Sequence, residues 1–521
     1  MGKQSITTEL AALGGLSLKP GSMGRQLAAR LREAIETGQL RPGDRLPASR
    51  ILARKLGLAR GTVADVYSQL VAEGYLESRV GAGTYVARDL GATPFAAIPQ
   101  GLARRRADMA VPPHWPKACP PFRFPEHLEK TQADMPPNAR RFAAFAGRFA
   151  PQPLVPFSVA VPLAGVAPDH NWRRLGNRVR SGMEAAPTGY EDPCGLMPLR
   201  EAIAAYVRKS RAVICGPENV IITNGAQQGL YITGRILLGP GEPVWAENPA
   251  YPGLMTVLED VQARIFRIPV DGHGIDVSAG AALCRDARAA FVTPSHQFPL
   301  GMVMSMARRM ELLAWARTCG AWLVEDDYDS EMRFSGQPFP ALQGLDPQRV
   351  IYLGTMSKVL FPSLRIGYAI VPQDLVGAFV GARTLMDKQS PTAEQHVLAA
   401  YMKEGYFEAH VRRIRKLYAQ RRQILLHLLR ARLADWGSPQ SGEQGMHLVF
   451  WLSAQVDDVV VALAATQEGL AVRPLSPLYG RETGRAGLML GFGGFSEPQL
   501  EQGVEMLRSV LERHCGRLSR N

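Results

Sequence analysis

The sequence predicts two unlike folded parts: an N-terminal winged helix-turn-helix and a larger α/β domain with a mostly parallel sheet. Three helical periodicities followed by a hairpin pattern predict the first part. Short apolar runs separated by helical segments predict the second. The chain has 521 residues, more than the roughly 250–300 that a single hydrophobic core accommodates. Its 46% hydrophobic and 21% charged residues are ordinary for a globular protein.

The positive charge is concentrated at the front of the chain. The formal net charge is +13. Residues 1–90 hold 13 Lys/Arg against 8 Asp/Glu, and residues 91–156 hold 9 against 4. A basic front on a nearly neutral remainder suggests a polyanionic partner for the front.

Targeting and cross-linking signals are weak in this sequence. No apolar run approaches the ~20 residues of a membrane span, and the first ten residues lack the apolar region of a signal peptide. We therefore expect a cytoplasmic protein without a membrane partner. The dispersed cysteines form no Cys-x-x-Cys pair, so free thiols are expected rather than disulfides or a metal site: Cys119, Cys194, Cys215, Cys284, Cys319 and Cys515.

The first folded part is predicted over residues 20–88, after a tail of mixed character at residues 1–19. Leu27, Leu31 and Ile35 recur four apart, as one face of a helix does. A second helix is predicted within residues 46–57 and a third within residues 58–74. Runs at 75–80 and 84–87 then predict a hairpin. Two short helices joined by a tight turn and followed by a wing describe a winged helix-turn-helix.

Residues 20–88 resemble the DNA-binding domain of the GntR family of bacterial regulators. The similar stretches include Gly43-Asp-Arg-Leu-Pro-Ala-Ser-Arg50, Arg60-Gly-Thr-Val63 and Gly81-Ala-Gly-Thr-Tyr-Val86. The resemblance implies a double-stranded DNA operator as partner, contacted by Arg50, Arg60, Thr62 and the wing glycine Gly83. The chemistry agrees, because helix N-termini favour phosphate and arginine pairs with guanine. Considered singly, each arginine is better interpreted as a solvated surface residue, and the context of the motif favours DNA contact.

Residues 89–156 are predicted to be a proline-rich basic linker. Its aromatic residues indicate that parts of it lie on a folded domain. The arginine run at residues 104–106 could touch DNA phosphates, but a solvated charge run is the preferred interpretation.

The α/β domain is predicted over residues 157–521. Six short apolar runs are interpreted as buried strands, and in such sheets ligands collect at the carboxyl ends of the strands. The runs lie at residues 219–223, 243–246, 289–293, 321–325, 350–353 and 368–371.

A lysine in a suggestive setting follows the fifth of these runs. In residues 354–367, Lys358 lies after Ser357 and seven residues before Arg365. Hydroxyls and a guanidinium can hold a phosphate while the amine condenses with an aldehyde. This arrangement suits a phosphorylated aldehyde.

Other candidate motifs also follow predicted strands. Gly225-Ala-Gln227 opens a helix, where backbone N–H groups can approach a phosphate. Tyr251 lies in a rigid turn and could stack on a flat ring, and His296 alone would most often be structural. The acidic residues at 325–329 need a cation. That cation could be a protonated pyridine nitrogen or a divalent metal, although no matching acidic or histidine cluster accompanies them.

Residues 157–515 resemble the fold-type I aminotransferases, whose cofactor is pyridoxal 5′-phosphate. Residues 188–203 are similar to the Tyr-x-Asp-Pro-x-Gly-x-x-x-Leu-Arg segment of that fold, which also has a smaller C-terminal α+β subdomain. The resemblance implies that Lys358 forms the Schiff base and that Asp326, with Asp327 as the alternative, pairs with the ring nitrogen. It implies these further roles: Tyr328 at the ring hydroxyl, Tyr251 stacked on the ring, His296 or Gln297 near the ring, Gly225, Ala226, Gln227, Ser357 and Arg365 at the phosphate, and Tyr190 reaching the phosphate from the partner subunit.

The fusion of these two parts resembles the MocR-like subfamily of GntR regulators. Pro294-Ser-His-Gln-Phe-Pro299 and Glu325-Asp-Asp-Tyr-Asp-Ser330 carry this closer likeness. It implies a domain-swapped, head-to-tail homodimer that senses an amino compound through the internal aldimine at Lys358. The alternatives are an active aminotransferase with an accessory DNA-binding domain, and a structural DNA-binding protein whose second part is a scaffold.

One departure from the aminotransferase pattern bears on turnover. Aminotransferases bind the substrate carboxylate with an arginine in a C-terminal strand, but residues 487–492 contain none. Arg473 is the preferred substitute and Arg485 the alternative. We therefore expect no efficient turnover and leave the effector open.

Overall fold

In a computed structural model, the described residues are 23–36, 39–72, 75–79, 83–87, 135–146, 154–163, 167–182, 186–334, 339–440, 442, 444–480 and 484–515. Residues 23–87 are called the head and residues 154–515 the body. The predicted tail at 1–19 and most of the predicted linker lie outside the described residues.

The head contains three helices and a two-stranded wing. Leu27, Leu31 and Ile35 are buried together, as their spacing predicts. Gly57, in the left-handed conformation at φ 65°, ends the second helix. The winged helix-turn-helix prediction is confirmed; its elements are α1 (Met23–Glu36), α2 (Ser49–Leu56), α3 (Arg60–Ala72), β1 (Leu76–Arg79) and β2 (Gly83–Val86).

One described helix falls inside the predicted linker. It is α4 (Pro137–Ala146), and its Arg141 pairs with the buried Asp260 of the body at 3.0 Å. This end of residues 89–156 therefore lies on the body, as its aromatic content suggests. The domain boundaries themselves stay a prediction.

The body contains the predicted α/β sheet. All six apolar runs form strands. The sheet also contains two strands that were not among these runs, namely β5, which has mixed polarity, and β6, which has two residues. The strands are β3 (Val220–Thr223), β4 (Pro243–Asn248), β5 (Arg264–Asp271), β6 (Gly274–Ile275), β7 (Ala289–Val292), β8 (Trp322–Asp327), β9 (Val350–Thr355) and β10 (Gly367–Ile370).

The eight strands are ordered β3-β10-β9-β8-β7-β4-β5-β6. β4, β5, β7, β8 and β9 are parallel, while β10 runs antiparallel to both β3 and β9. The carboxyl ends of β4, β7 and β8 therefore meet at one edge, where a ligand site is expected.

Helices cover the sheet, and a second sheet follows it. The helices are α5 (His170–Arg180), α6 (Met197–Arg211), α7 (Ala226–Leu237), α8 (Pro252–Asp260), α9 (Val277–Leu283), α10 (Met306–Cys319), α11 (Val376–Met386), α12 (Thr392–Lys403), α13 (Tyr406–Arg432), α14 (Asp458–Gln467) and α15 (Glu497–Cys515). The C-terminal antiparallel sheet has the order β11-β12-β14-β13, with β11 (Gly437–Pro439), β12 (His447–Leu452), β13 (Arg473–Pro474) and β14 (Gly487–Gly491). The predicted α/β class with a C-terminal α+β subdomain is confirmed.

Among the described helices, none combines the length and apolar character needed to cross a bilayer.

Candidate functional site

The head presents its candidate DNA-binding side chains to solvent. Arg50 is the second residue of α2 and Arg60 the first residue of α3, and both are exposed. Thr62, the third residue of α3, is half-buried. Donors at the start of a helix suit phosphate oxygens. The structure thus brings these residues to the two helix starts that the winged-helix pattern predicts.

Gly83 opens the second strand of the wing in a conformation that other residues rarely adopt. Its φ is 111°, and an added Cβ would lie 3.2 Å from Nε of Arg45. Arg45 also lies 6.0 Å from the centre of the Tyr85 ring. Arg45 is thus a further cation beside the wing that the sequence did not single out.

Lys358 lies in the loop that leaves β9. Asp326 ends up near it because β8 and β9 are parallel neighbours. Burial lowers the pKa of Lys358 to about 8; Asp329 opposes this shift, while Arg473 and Arg365 add to it. A lower pKa leaves more of the amine unprotonated, which is the form that attacks a carbonyl.

A residue that the sequence did not indicate contacts the Lys358 loop. His410 of α13 is buried, and its Nε2 lies 2.7 Å from the carbonyl oxygen of Val359. His410 is 51 positions away in the chain, so only the fold reveals the contact. The loop position is therefore set by α13 as well as by β9.

The predicted phosphate residues converge around the start of α7. Gly225 has φ 85°, and an added Cβ would lie 2.9 Å from the Arg365 guanidinium. Arg365, itself at φ 51°, donates to the carbonyl oxygen of Asn224 at 2.7 Å. Ser357 and Gln227 each keep a buried oxygen, Oγ and Oε1, with no hydrogen-bond partner.

Asp326 is the acidic residue beside Lys358. Its Oδ1 is buried without a hydrogen-bond partner. Burial raises the pKa of Asp326 to about 7, and Asp327, Asp329 and Glu247 raise it further, while Lys358 lowers it. A carboxyl group in these surroundings gains from a cationic partner.

The neighbouring acids are used elsewhere, because side chains alternate along a strand. Asp327 accepts from Nε of Arg211 at 2.8 Å and from the Tyr352 hydroxyl at 2.6 Å. Glu325 accepts from the backbone N–H of Gln343 at 3.2 Å. Asp326 therefore fits the ring-nitrogen role better than Asp327.

Among the described residues, no group of three or more His, Cys, Asp or Glu could hold a metal ion.

His296 forms a buried network with two residues of the acidic stretch. Its Nδ1 lies 2.9 Å from Asp329 Oδ2 and 3.1 Å from the Tyr328 hydroxyl. The ring lies between Gly301 and Gly445, and a Cβ on either glycine would clash with it. Asp329 thereby fixes His296 beside Tyr328, an arrangement that the sequence did not specify.

Three further buried groups complete this side of the site. Glu247 accepts from the Thr293 hydroxyl at 2.6 Å, and burial raises its pKa to about 7. Burial and the nearby His296 lower the pKa of His447 to about 4, so His447 is neutral at physiological pH. Gln297, the alternative to His296, donates to the carbonyl oxygen of Pro249 at 2.9 Å and so holds the loop.

Tyr251 and Arg473 border the site on the remaining side. Tyr251 precedes α8, with its ring 5.5 Å from that of Phe298. Arg473 is close enough to Tyr251 and Lys358 to influence both pKa values. Arg485 instead stacks on Trp451 at 4.4 Å. Of the two candidate carboxylate partners, only Arg473 is at the site.

Tyr190 lies at the surface of its own chain. It is 80% exposed, and Nζ of Lys388 lies 4.4 Å above its ring. Its predicted role, reaching the phosphate from the partner subunit, stays a prediction.

The two parts of the chain match two known families. Residues 23–86 match the bacterial regulatory proteins of the gntR family, and residues 163–491 match aminotransferase class I and II. Over 490 residues, the chain is 37% identical to the probable rhizopine catabolism regulatory protein MocR of Rhizobium meliloti, with 94% of both chains covered. The chain belongs to the MocR-like subfamily of GntR regulators.

This MocR-like chain is thus a transcriptional regulator with a winged helix and an aminotransferase-like domain. It is also 33% identical over 482 residues to the HTH-type pyridoxine biosynthesis transcriptional regulator PdxR of Corynebacterium glutamicum, covering 92% of this chain and 94% of that one.

Solved aminotransferases share the fold of the MocR-like body. Kynurenine aminotransferase of Pyrococcus horikoshii, solved in complex with PMP, superposes with a TM-score of 0.65 at 25% identity, over 76% of this chain and 98% of that one. α-Aminoadipate aminotransferase LysN of Thermus thermophilus gives 0.64 at 24% identity, over 75% and 97%. An aminotransferase class I and II fold implies pyridoxal 5′-phosphate as cofactor.

Proposed function

We propose that this regulator binds pyridoxal 5′-phosphate at Lys358 and that an amino compound reaching Lys358 alters operator binding by the head. The observation that carries the proposal is a set of buried polar atoms without partners around one lysine: Asp326 Oδ1, Ser357 Oγ and Gln227 Oε1. Unsatisfied buried polar atoms are costly and rare unless a ligand completes them. The residues present therefore fit this cofactor.

The proposed roles follow from chemistry and position. The cofactor supplies an aldehyde and an electron-accepting ring. Lys358 would hold the aldehyde carbon, and Asp326 would keep the ring nitrogen protonated. Gly225, Ala226, Gln227, Ser357 and Arg365 would hold the phosphate. Tyr251 would pack on the ring, and Tyr328, which contacts His296, would bind the ring hydroxyl.

Arg473 is proposed as the partner of an acidic group on the effector. Its guanidinium borders the site, and burial lowers its pKa. No described residue forms an ion pair with it, so a carboxylate on the effector would supply the missing countercharge. We further propose that the protein acts in the cytoplasm as a head-to-tail homodimer in which the partner's Tyr190 reaches the phosphate.

The test is the Lys358→Ala protein, titrated with a panel of amines and amino acids. It should lose the visible absorbance of the lysine-bound cofactor and any effect of the amines on operator affinity, while its circular dichroism stays that of the wild type. An amine response that persists in Lys358→Ala overturns the sensing role. Steady turnover of an amino acid with a keto-acid acceptor by the wild type would support the aminotransferase alternative.

A further inference from the structure

Two apolar residues of the body belong to the hydrophobic core of the head. Met306, the first residue of α10, is 5% exposed and lies in the same buried cluster as the three head helices. Leu345 packs against that cluster and also against a core cluster of the body. The head therefore rests on a small apolar surface formed by Met306 and Leu345, called the docking surface.

One buried arginine ties the docking surface to the cofactor-site loop. Arg309 is 1% exposed and lies in the first turn of α10. Its guanidinium donates to the carbonyl oxygens of Pro294 at 2.9 Å, Met304 at 3.1 Å and Pro340 at 3.1 Å. One side chain thus joins three separate backbone segments.

Each of these three segments leads to a residue of interest. The Pro294 segment continues to His296, which is bonded to Asp329. The segment at residue 304 continues to Met306, and the segment at residue 340 continues to Leu345. Arg309 therefore links the site loop to both halves of the docking surface.

A second connection starts beside Asp326. Glu325, its neighbour in β8, accepts from the backbone N–H of Gln343 at 3.2 Å. Gln343 precedes Leu345 by two residues. Its side chain accepts from the backbone N–H of Ile214 and donates to the carbonyl oxygen of Ile214, both at 2.8 Å. These hydrogen bonds connect β8, next to Asp326, with the segment that carries Leu345.

The buried charge makes this link behave as a unit. A guanidinium removed from water is costly unless its donors are satisfied. Losing a carbonyl contact of a buried guanidinium costs free energy, which favours joint movement of the segments at 294, 304 and 340. Packed elements with such shared contacts can transmit a change between two sites.

We propose that the docking surface transmits the state of the cofactor site to the head, with Arg309 as the positioning residue. The proposal rests on the proposed function for the biological meaning of the signal, although the contacts stand independently of it. Domain swapping exchanges identical contacts between copies, so in a head-to-tail dimer the same surface receives the head of the partner subunit.

The experiment compares the full-length protein with and without pyridoxal 5′-phosphate, which is the only probe added. Loading is followed by visible absorbance, and backbone amide exchange is measured in the site loop at residues 294–297 and in α1 and α3 of the head. In the wild type, loading should slow exchange in both regions, in the head by about fivefold or more.

Met306→Gln is the main variant, because it places a polar side chain on the docking surface without touching the site. It should capture the cofactor and protect the site loop as the wild type does, but the head should no longer respond. Met310→Gln is the matched control: Met310 lies on the same helix and is 43% exposed. Its head should respond as in the wild type.

Arg309→Lys provides an independent variant, because it keeps the charge but not the three-way guanidinium geometry. It should likewise retain cofactor capture and lose the head response. A head that responds in Met306→Gln as strongly as in the wild type overturns the proposal, as does a loaded wild type with an unresponsive head. If the head responds to loading but amines leave DNA affinity unchanged, only the proposed sensing function fails.

Discussion

The head and the cofactor site of this protein use charge in opposite ways. The head exposes Arg50 and Arg60, which have no partner among the described residues. The site buries its acids around Lys358, where each group alters the pKa of its neighbours. An exposed cation contributes binding free energy mainly when it contacts a DNA phosphate, and salt screens that contact. A buried group acts through its neighbours. A substitution in the head should therefore be detected first in DNA affinity, and a substitution in the site should be detected first in cofactor affinity.

The largest effect is expected from Arg365→Ala. Charge-assisted hydrogen bonds contribute about 1.5–3 kcal/mol each, so losing two such bonds to the phosphate should weaken cofactor affinity by about 100-fold or more. Equilibrium titration of the cofactor-free protein by visible absorbance measures this loss. Binding of DNA by the cofactor-free variant should stay that of the wild type. Arg235→Ala, an exposed arginine of α7, is the control and should retain cofactor affinity.

Arg60→Ala should instead weaken DNA binding and leave cofactor binding unchanged. Loss of one base or phosphate contact should weaken operator binding by about 1–3 kcal/mol, whereas cofactor titration should be unchanged. Fluorescence anisotropy with operator DNA at several salt concentrations measures both the affinity and its salt dependence. Arg30→Ala removes an exposed arginine of α1 that pairs with Glu33 at 3.0 Å, and it should bind as the wild type. Equal losses in both variants would contradict the assignment of Arg60.

The rate of cofactor capture should depend on pH, with a midpoint near the pKa of Lys358. Because burial lowers the pKa of Lys358 to about 8, the reactive unprotonated amine increases as pH rises. The capture rate should increase about tenfold per pH unit below the midpoint and level off above it. Stopped-flow absorbance gives the profile. Asp326→Asn should move the midpoint to lower pH, since the Asp326 charge raises the pKa of Lys358. A profile without pH dependence between 6 and 9 would disprove the assignment.

The smallest effect concerns the stability of the cofactor-free protein. The pKa of Asp326 is raised to about 7 by burial, above the value of about 3.9 expected in the unfolded chain. Ionisation of Asp326 therefore destabilises the folded state increasingly from about pH 4 to about pH 7, and constantly above. Cofactor-free Asp326→Asn should be more stable than the wild type at pH 8 by about 1 kcal/mol or more, with the gain vanishing near pH 4.

Thermal denaturation followed by circular dichroism tests this expectation. Asp374→Asn, at an exposed position, should leave stability unchanged at both pH values. A less stable Asp326→Asn protein at pH 8 would show that Asp326 is satisfied within the fold.

Features carried by contiguous residues were predictable from the sequence. The six apolar runs became strands, because near-continuous hydrophobic segments fit a sheet covered on both faces. β5 was missed because Arg264 and Arg267 interrupt its apolar residues and because Pro269 weakens a strand pattern. The lysine loop and the helix start at Gly225 were likewise visible as local motifs.

Features that depend on distant contacts were not predictable. His296 was interpreted as structural when considered alone, and its bond to Asp329 spans 33 positions. The link from Arg309 to Pro340 spans 31 positions. The acidic stretch indicated that a cation was needed, but only the alternation of β8 and the position of Arg211 distinguish Asp326 from Asp327.

The glycines around His296 have a mechanical consequence. Gly445 lies just before β12, and its N–H donates to the carbonyl oxygen of Met332 at 2.9 Å. The C-terminal subdomain therefore forms one wall of the space that holds the imidazole ring. A side chain on Gly445 would occupy the space of the His296 ring, so the ring has no free room on that side. His296 can therefore change its position only if the C-terminal subdomain or the loop at Gly301 moves with it.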